Sequence, residues 1–109
     1  MARESLGEFE QLVLLAILQL SDEAYGVSIV EEIERRTGRT VSRPAVYIAL
    51  RRMGNKALVS STLAQPTPEP GGRAKRYYRV QKAGLDLLAD SRRDLLNMWD
   101  GLSPVLDNR

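Results

Sequence analysis

The sequence predicts a mainly α-helical domain with one small β-hairpin and a long C-terminal helix. Apolar residues recur at helical spacing in four segments, and two short alternating segments flank a loop rich in Pro and Gly. The 109 residues suffice for a single domain with its own core. The chain has no cysteine and no histidine, which removes thiolate sites and the commonest general base. We therefore expect a binding protein, with no catalytic residue, metal or cofactor.

The first helix is predicted over residues 7–20, where apolar side chains lie on nearly every side. Such a helix is buried on more than one side, and a second subunit could cover one of them. Its longest apolar run, residues 12–18, is far shorter than the ~20 residues that cross a bilayer. Acidic residues precede this run, where an export signal would have basic ones. We expect a cytoplasmic protein without a membrane segment.

The second helix is predicted over about residues 26–37, with Gly38 as its stop. Val27, Val30 and Ile33 form its apolar stripe, flanked by Ile29. Three nearby carboxylates could suggest a metal or acid–base site, but two arginines follow at helical spacing. We expect a solvated face instead, made of Glu31, Glu32, Glu34, Arg35 and Arg36.

The third helix is predicted to begin after the N-cap Ser42, with Pro44 in its first turn. The residues expected to be buried are Val46, Ala49, Leu50 and Met53. The opposite face carries polar and basic groups, namely Arg43, Tyr47, Arg51 and Arg52.

A hairpin is predicted next, with strands at residues 58–63 and 75–80. The loop between them, residues 65–74, holds three prolines and a Gly-Gly pair. Alternation along the second strand directs Tyr78 into the core and Tyr77 the other way.

The last helix is predicted over about residues 83–102. Its spacing of 3, 4, 3, 4, 3 resembles a two-stranded coiled coil, which predicts packing against a partner subunit. The residues in this rhythm are Leu85, Leu88, Arg92, Leu95, Trp99 and Leu102.

Charge is concentrated in the middle of the chain. Residues 39–79 contain nine basic residues and one acidic residue, a net charge of +8, whereas the whole chain has a net charge of +2. A solvated surface would mix its signs, so this block indicates a polyanionic partner, with nucleic acid first.

The order of three helices, strand, basic loop, strand and long helix is that of a winged helix-turn-helix. The third helix would offer its arginines to the major groove. The hairpin, or wing, would carry Arg73, Lys75 and Arg76 toward phosphates.

These motifs resemble the PadR family of transcriptional regulators over residues 6–102. The resemblance rests on LVLLAIL, AYGVSIVEEIE, SRPAVYIALRRM and GGRAKRYYRVQKAGL in this order. It implies a dimeric DNA-binding regulator of the short subgroup, usually a repressor, that binds a palindromic operator. It also implies that the first and last helices build the dimer and that the Tyr47 hydroxyl reaches a phosphate.

The predicted organisation is a winged helix domain over residues 1–82 and a dimerisation helix with its tail over residues 83–109. The predicted contacts to double-stranded DNA are Ser42, Arg43, Tyr47, Arg51, Arg52, Arg73, Lys75 and Arg76. The predicted homodimer contacts are Leu12, Leu15, Leu88, Leu95, Trp99 and Leu102.

Two residues depart from the family pattern. The family commonly has Pro at the position of Ile48, which here puts an apolar side chain on or near the DNA face. It commonly has Gly at the position of Ala57, which must end the helix without glycine's access to positive φ.

There are four further interpretations besides a DNA-binding dimer. Trp99 could form the floor of a site for a small aromatic ligand between subunits, although closing the dimer is the simpler role. The domain could be a protein-interaction module, but the basic block argues against that. A small enzyme or an RNA-binding protein lacks support, because the sequence has neither an acid–base set nor a sheet with stacked aromatics.

Overall fold

The protein was studied as a computed structural model that describes residues 5–65 and 74–109. Within these ranges, helices and one hairpin form the mainly α-helical fold that the sequence predicts. The elements are α1 (Glu8–Leu20), a 3-10 turn (Ser21–Glu23), α2 (Gly26–Thr37), α3 (Arg43–Asn55), β1 (Val59–Leu63), β2 (Arg76–Val80), α4 (Lys82–Trp99) and α5 (Ser103–Asp107).

The core lies between α1, α2, α3 and the start of β1. The predicted stripe of α3 is buried, with Val46 and Met53 fully enclosed. In α2 the large apolar residues that are buried are Ile29, Val30 and Ile33, whereas Val27 is only half-buried. The helix is therefore rotated slightly from the predicted stripe. The fourteen buried apolar residues are Val13, Leu14, Ala16, Ile17, Ala24, Ile29, Val30, Ile33, Val46, Ala49, Leu50, Met53, Leu58 and Val59.

The structure contains the two helix caps that the sequence predicts, Ser42 at the start of α3 and Gly38 at the end of α2. The backbone amide of Ala45 donates to Ser42 Oγ at 3.2 Å, so Ser42 caps α3. Gly38 ends α2 in the left-handed conformation, with φ +72°. These caps orient α3 relative to α2, because only the short segment 38–42 separates the two helices.

The hairpin is antiparallel, with Val59 opposite Val80 and Leu63 opposite Arg76. It is attached to the helices by a bridge between Tyr25 and Tyr77 and by a bond from the Tyr78 amide to the Ala24 carbonyl, 2.9 Å. Tyr78 packs against the core but is half-buried, so the expectation that it belongs to the core is only partly met. The loop tip, residues 66–73, lies outside the described residues.

The prediction that Glu32 lies on a solvated face is wrong. Glu32 is 7% exposed, and its carboxylate accepts bonds from Arg36 Nε at 2.5 Å and Arg35 Nη2 at 2.6 Å. These hydrogen bonds, from Arg36 first and then Arg35, lower the pKa of the Glu32 carboxyl below its ordinary value of 4.5. Arg36 also donates to Gln19 Oε1 at 3.2 Å, so the group links α2 to α1.

The other two carboxylates of α2 differ from each other. Glu31 is exposed, as expected. Glu34 is half-buried and accepts a bond from the Val41 amide at 2.8 Å. That bond holds the connection between α2 and α3, so the three carboxylates do not form one solvated cluster.

The predicted end of the last helix is also wrong. The helix α4 ends at Trp99, and Gly101 turns the chain with φ +79° before the short helix α5. Leu102 lies in this turn and is the N-cap of α5, so it does not continue the α4 rhythm. Glycine accommodates the positive φ that the sequence pattern alone did not reveal.

The described chain is elongated. Its radius of gyration is 16.3 Å and its longest extent is 55 Å, whereas a globular chain of this length has a radius of gyration of about 13 Å. The middle of α4 is held to α1 by a bond from Ser91 Oγ to Gln11 Oε1, 2.9 Å. Beyond that bond, α4 and α5 are exposed on nearly all sides. None of the described helices is long and apolar enough to cross a membrane.

The end of α3 is a Schellman motif with alanine in the position that favours glycine. Ala57 has φ +60°, its amide donates to the Gly54 carbonyl, and the Leu58 amide donates to the Met53 carbonyl. Leu58 and Met53 are both buried, which completes the motif's apolar contact.

We predict that Ala57→Gly stabilises the protein by about 0.5–1 kcal/mol, because glycine removes the steric cost of a positive φ. Urea denaturation at a fixed protein concentration measures the difference. The control is Ala89→Gly within α4, which should be destabilising by a similar amount. A loss of stability in Ala57→Gly would contradict the proposed backbone strain.

Candidate nucleic-acid interface

The outward face of α3 is basic and without acidic partners. Arg51 and Arg52 are exposed on the side opposite the buried stripe. The expectation that Arg43 shares this side is wrong: it is exposed in the first turn of α3 but lies three residues before Val46, in line with the stripe. No carboxylate in the described part of the chain forms an ion pair with any of the three. Their charge is therefore available to an external anion.

Other arginines of the basic block are neutralised within the fold. Arg39 pairs with Glu8 at the start of α1. Arg79 pairs with Asp22 at 3.0 Å and joins β2 to the turn after α1. Pairing thus neutralises two arginines of the basic block that lie outside α3, while the arginines of α3 keep their charge.

Tyr47 packs across the start of α2. A Cβ at Gly26 would lie 2.5 Å from Tyr47 Cζ and 2.7 Å from Cε1, which no real contact allows. Gly26 is the first residue of α2, so the tyrosine ring occupies the space where a side chain would be. The ring remains 47% exposed, and its side chain is therefore held at the surface between the two helices.

A cleft of about 420 Å³ separates α3 from the hairpin. Arg51 and Tyr47 line it on the helix side, and Arg76 and Tyr78 line it on the hairpin side. Arg76 Nη1 donates to Ser61 Oγ at 3.0 Å, which orients the guanidinium on the hairpin. Two arginines that face one cleft make it suited to a phosphate.

The cleft also explains the electrostatics of Tyr78. Burial raises the pKa of the Tyr78 hydroxyl above its ordinary value of 10.0, the charge of Arg76 opposes this rise, and Tyr47 adds to it. A tyrosine hydroxyl is protonated at neutral pH with or without this shift, so Tyr78 can donate a hydrogen bond.

The predicted wing residues Arg73, Lys75 and Arg76 do not share one environment. Lys75 Nζ lies 4.3 Å from the centre of the Tyr25 ring, a cation–π contact at the loop end of β2. Tyr25 in turn meets Tyr77 edge to face, with the ring centres 5.6 Å apart. Arg76 reaches the cleft, whereas Arg73 lies outside the described residues. Ser42 is exposed, but its oxygen already caps α3.

Sequence reasoning did not single out Gly26, Asn55 or Ser61. Asn55 and Ser61 line the cleft only because the hairpin folds back beside α3. Gly26 had a usable signal, because glycine in a helical segment costs stability unless another group needs the space.

The predicted dimer residues lie on two surfaces. Leu12 and Leu88 are half-buried, with both packed against the core. The others are exposed, with Leu15 on α1 and Leu95 and Trp99 on α4, while Leu102 follows α4. No cluster of acidic residues within residues 5–65 and 74–109 could hold a metal ion.

Together, the three helices, the hairpin and the basic face of α3 define a winged helix-turn-helix protein. A family model described as the transcriptional regulator PadR-like family matches residues 14–90. The match covers more than half of the chain, so the protein belongs to this family. Members of the family are transcriptional regulators rather than enzymes.

Solved structures agree with the fold. The chain is 25% identical to a PadR family transcriptional regulator from Eggerthella lenta, with a TM-score of 0.67 and coverage of 94% of this chain and 88% of that one. It is 24% identical to a PadR family transcription regulator from Clostridium difficile, with a TM-score of 0.65 and coverage of 92% and 96%. RosR from H. salinarum is 21% identical, with a TM-score of 0.67 and coverage of 94% and 86%. No curated protein matches the sequence at a significant level.

We predict that Gly26→Ala destabilises the protein by about 1–3 kcal/mol, because the new methyl group displaces Tyr47. In the Tyr47→Ala background the same change should be neutral or slightly stabilising, since alanine favours a helix. Urea denaturation of the four proteins forms a double-mutant cycle.

The matched control for this cycle is Gly54→Ala, at a position where nothing lies within 4 Å of a Cβ. It should stabilise α3 with or without the tyrosine. Equal effects of Gly26→Ala in the two backgrounds would contradict the proposed contact.

Proposed function

We propose that this protein is a sequence-specific DNA-binding transcriptional regulator that acts as a homodimer and represses from a palindromic operator. The observation that supports it best is the charge of α3, whose three exposed arginines have no acidic partner in the described chain. An uncompensated basic face on a helix that can enter the major groove is suited to DNA.

In this proposal the residues of α3 divide into two groups. Arg51 lies near the centre of the exposed face and would read a base edge, with guanine as the natural partner of a bidentate arginine. Arg43, Arg52, Ser42 and Tyr47 would contact the backbone and fix the register. The cleft between α3 and the hairpin would take a phosphate held by Arg76 on the hairpin side.

The wing would supply affinity with little sequence dependence. Arg76 and Lys75 stand at the loop end of β2, and Arg73 belongs to the loop sequence between the strands. Contacts from these residues to phosphates would release counterions, so binding should weaken as salt rises. These phosphate contacts would attract the protein to any DNA, whereas the contacts of α3 to base edges would determine which sequence is bound.

Dimer formation would use the apolar surfaces of α1 and α4. Leu15 on α1 is exposed, and so are Leu95, Leu96, Met98 and Trp99 on α4. A group of exposed apolar residues on a helix that projects from the domain favours burial against a partner subunit. Two recognition helices in such a dimer would meet half-sites about 34 Å apart.

The same surface is where a small aromatic effector would bind if one relieves repression. Trp99 is the only tryptophan of the chain and is 47% exposed. Its primary role in this proposal is to close the dimer. Because no other tryptophan contributes, its fluorescence would report both dimer formation and ligand binding.

The deciding experiment is a titration of labelled duplex from upstream of the protein's own gene. It is run with excess unrelated duplex and at two salt concentrations. Binding that survives the competitor supports the proposal, and footprinting then locates the palindrome. Binding that disappears with competitor and salt would overturn it and favour a protein-interaction role.

We predict that Arg51→Ala weakens specific binding by about 1–3 kcal/mol and relaxes the preference at one base pair. Arg52→Ala should weaken binding to all duplexes alike and reduce the salt dependence. Competition titrations with single-base variants of the footprinted site measure both effects. An equal loss on every duplex for Arg51→Ala would make it a phosphate contact.

We predict that Leu95→Asp converts the dimer into a monomer without unfolding it, because Leu95 is 52% exposed within one chain. Light scattering after size exclusion gives the mass, and circular dichroism reports folding. Leu63→Asp, an equally exposed position on β1, should leave the dimer intact. A wild-type protein that is a stable monomer at micromolar concentration would contradict this assembly.

A further inference from the structure

Ile48 is the large aliphatic side chain at the centre of the basic face of α3. It is 55% exposed. Ile48 follows Val46 by two residues and precedes Leu50 by two, which corresponds to a rotation of about 200° from each. Since Val46 and Leu50 are buried, Ile48 points away from the core.

The fold gives Ile48 no structural task. It belongs neither to the buried core nor to the half-buried residues that pack against it. A β-branched residue is also a poorer helix former than alanine at an exposed position. Its side chain is therefore free to make a contact outside the chain.

The neighbours of Ile48 identify the chemistry of that contact. Arg51 and Arg52 are three and four residues later, so they flank Ile48 on the helix surface. Pro44, four residues earlier, adds a second apolar group on the same side. The surface thus combines positive charge with a small apolar centre. DNA offers the matching combination, because phosphates line the major groove and the thymine C5-methyl is the apolar group within it.

We propose that Ile48 is a specificity-determining residue that contacts the C5-methyl group of a thymine in the major groove. This inference rests on the proposed DNA-binding function. Ile48 would select thymine over cytosine at one position of each half-site, while Arg51 reads a neighbouring pair. An apolar protein partner fits less well, since the flanking arginines would have to lose water without gaining an anion.

The test replaces thymines in the footprinted duplex, one position at a time, by deoxyuridine. Uracil keeps the hydrogen-bonding edge of thymine and lacks only the methyl group. At the position that Ile48 reads, wild-type affinity should fall about fourfold for one half-site and about fifteenfold when both are changed. Ile48→Ala should bind the thymine and uracil duplexes equally, and Ile48→Val should retain part of the difference.

Two controls separate the possible causes. Arg52→Ala should weaken binding to both duplexes while preserving the thymine-to-uracil ratio. Circular dichroism melting of Ile48→Ala should be unchanged or slightly higher than wild type, which excludes misfolding.

The outcomes distinguish this inference from the proposed function. Specific binding that is insensitive to uracil at every position would overturn the role of Ile48 and leave the regulator intact. A uracil penalty that persists in Ile48→Ala would also overturn it, because another residue would then read the methyl. Failure of the wild type to bind any duplex specifically would overturn both proposals.

Discussion

Burial of one side of α3 against α1, α2 and β1 is the constraint on which the functional surface depends. Val46, Leu50 and Met53 are almost fully enclosed, so the helix cannot rotate without exposing them to water. That anchor fixes the direction of every other residue of α3. The arginines, Tyr47 and Ile48 face outward because the opposite side is committed to the core.

Ion pairing within the described chain determines which residues of the basic block keep an uncompensated positive charge at the surface. Arg39 and Arg79 form pairs with Glu8 and Asp22, and these exposed pairs contribute little stability individually. Their larger effect is on the electrostatic potential of the surface, because they neutralise two positive charges that do not belong to α3. In contrast, Glu32 is buried and pairs with Arg35 and Arg36 within α2, and Arg36 also donates a hydrogen bond to Gln19 of α1.

Two backbone positions show how tightly the helix-turn-helix is arranged. Gly26 leaves room for the Tyr47 ring, so the start of α2 and the face of α3 are in direct contact. Ala57 adopts the left-handed conformation at the end of α3, which turns the chain into β1. The strain at Ala57 is tolerated because Leu58 and Met53 are buried on either side of the turn. Both positions therefore set how α3 stands relative to its neighbours.

The sequence by itself determined the helices, the hairpin and the buried stripe of α3, because periodicity and caps such as Ser42 act over a few residues. It also located the basic block and the two unusual residues, Ile48 and Ala57. Tertiary structure decided what depends on distant contacts. Glu32 is buried where α2 packs against α1 and Arg36 donates to Gln19. The cleft between Arg51 and Arg76 likewise exists only because the hairpin folds back beside α3, and a local pattern does not encode that approach.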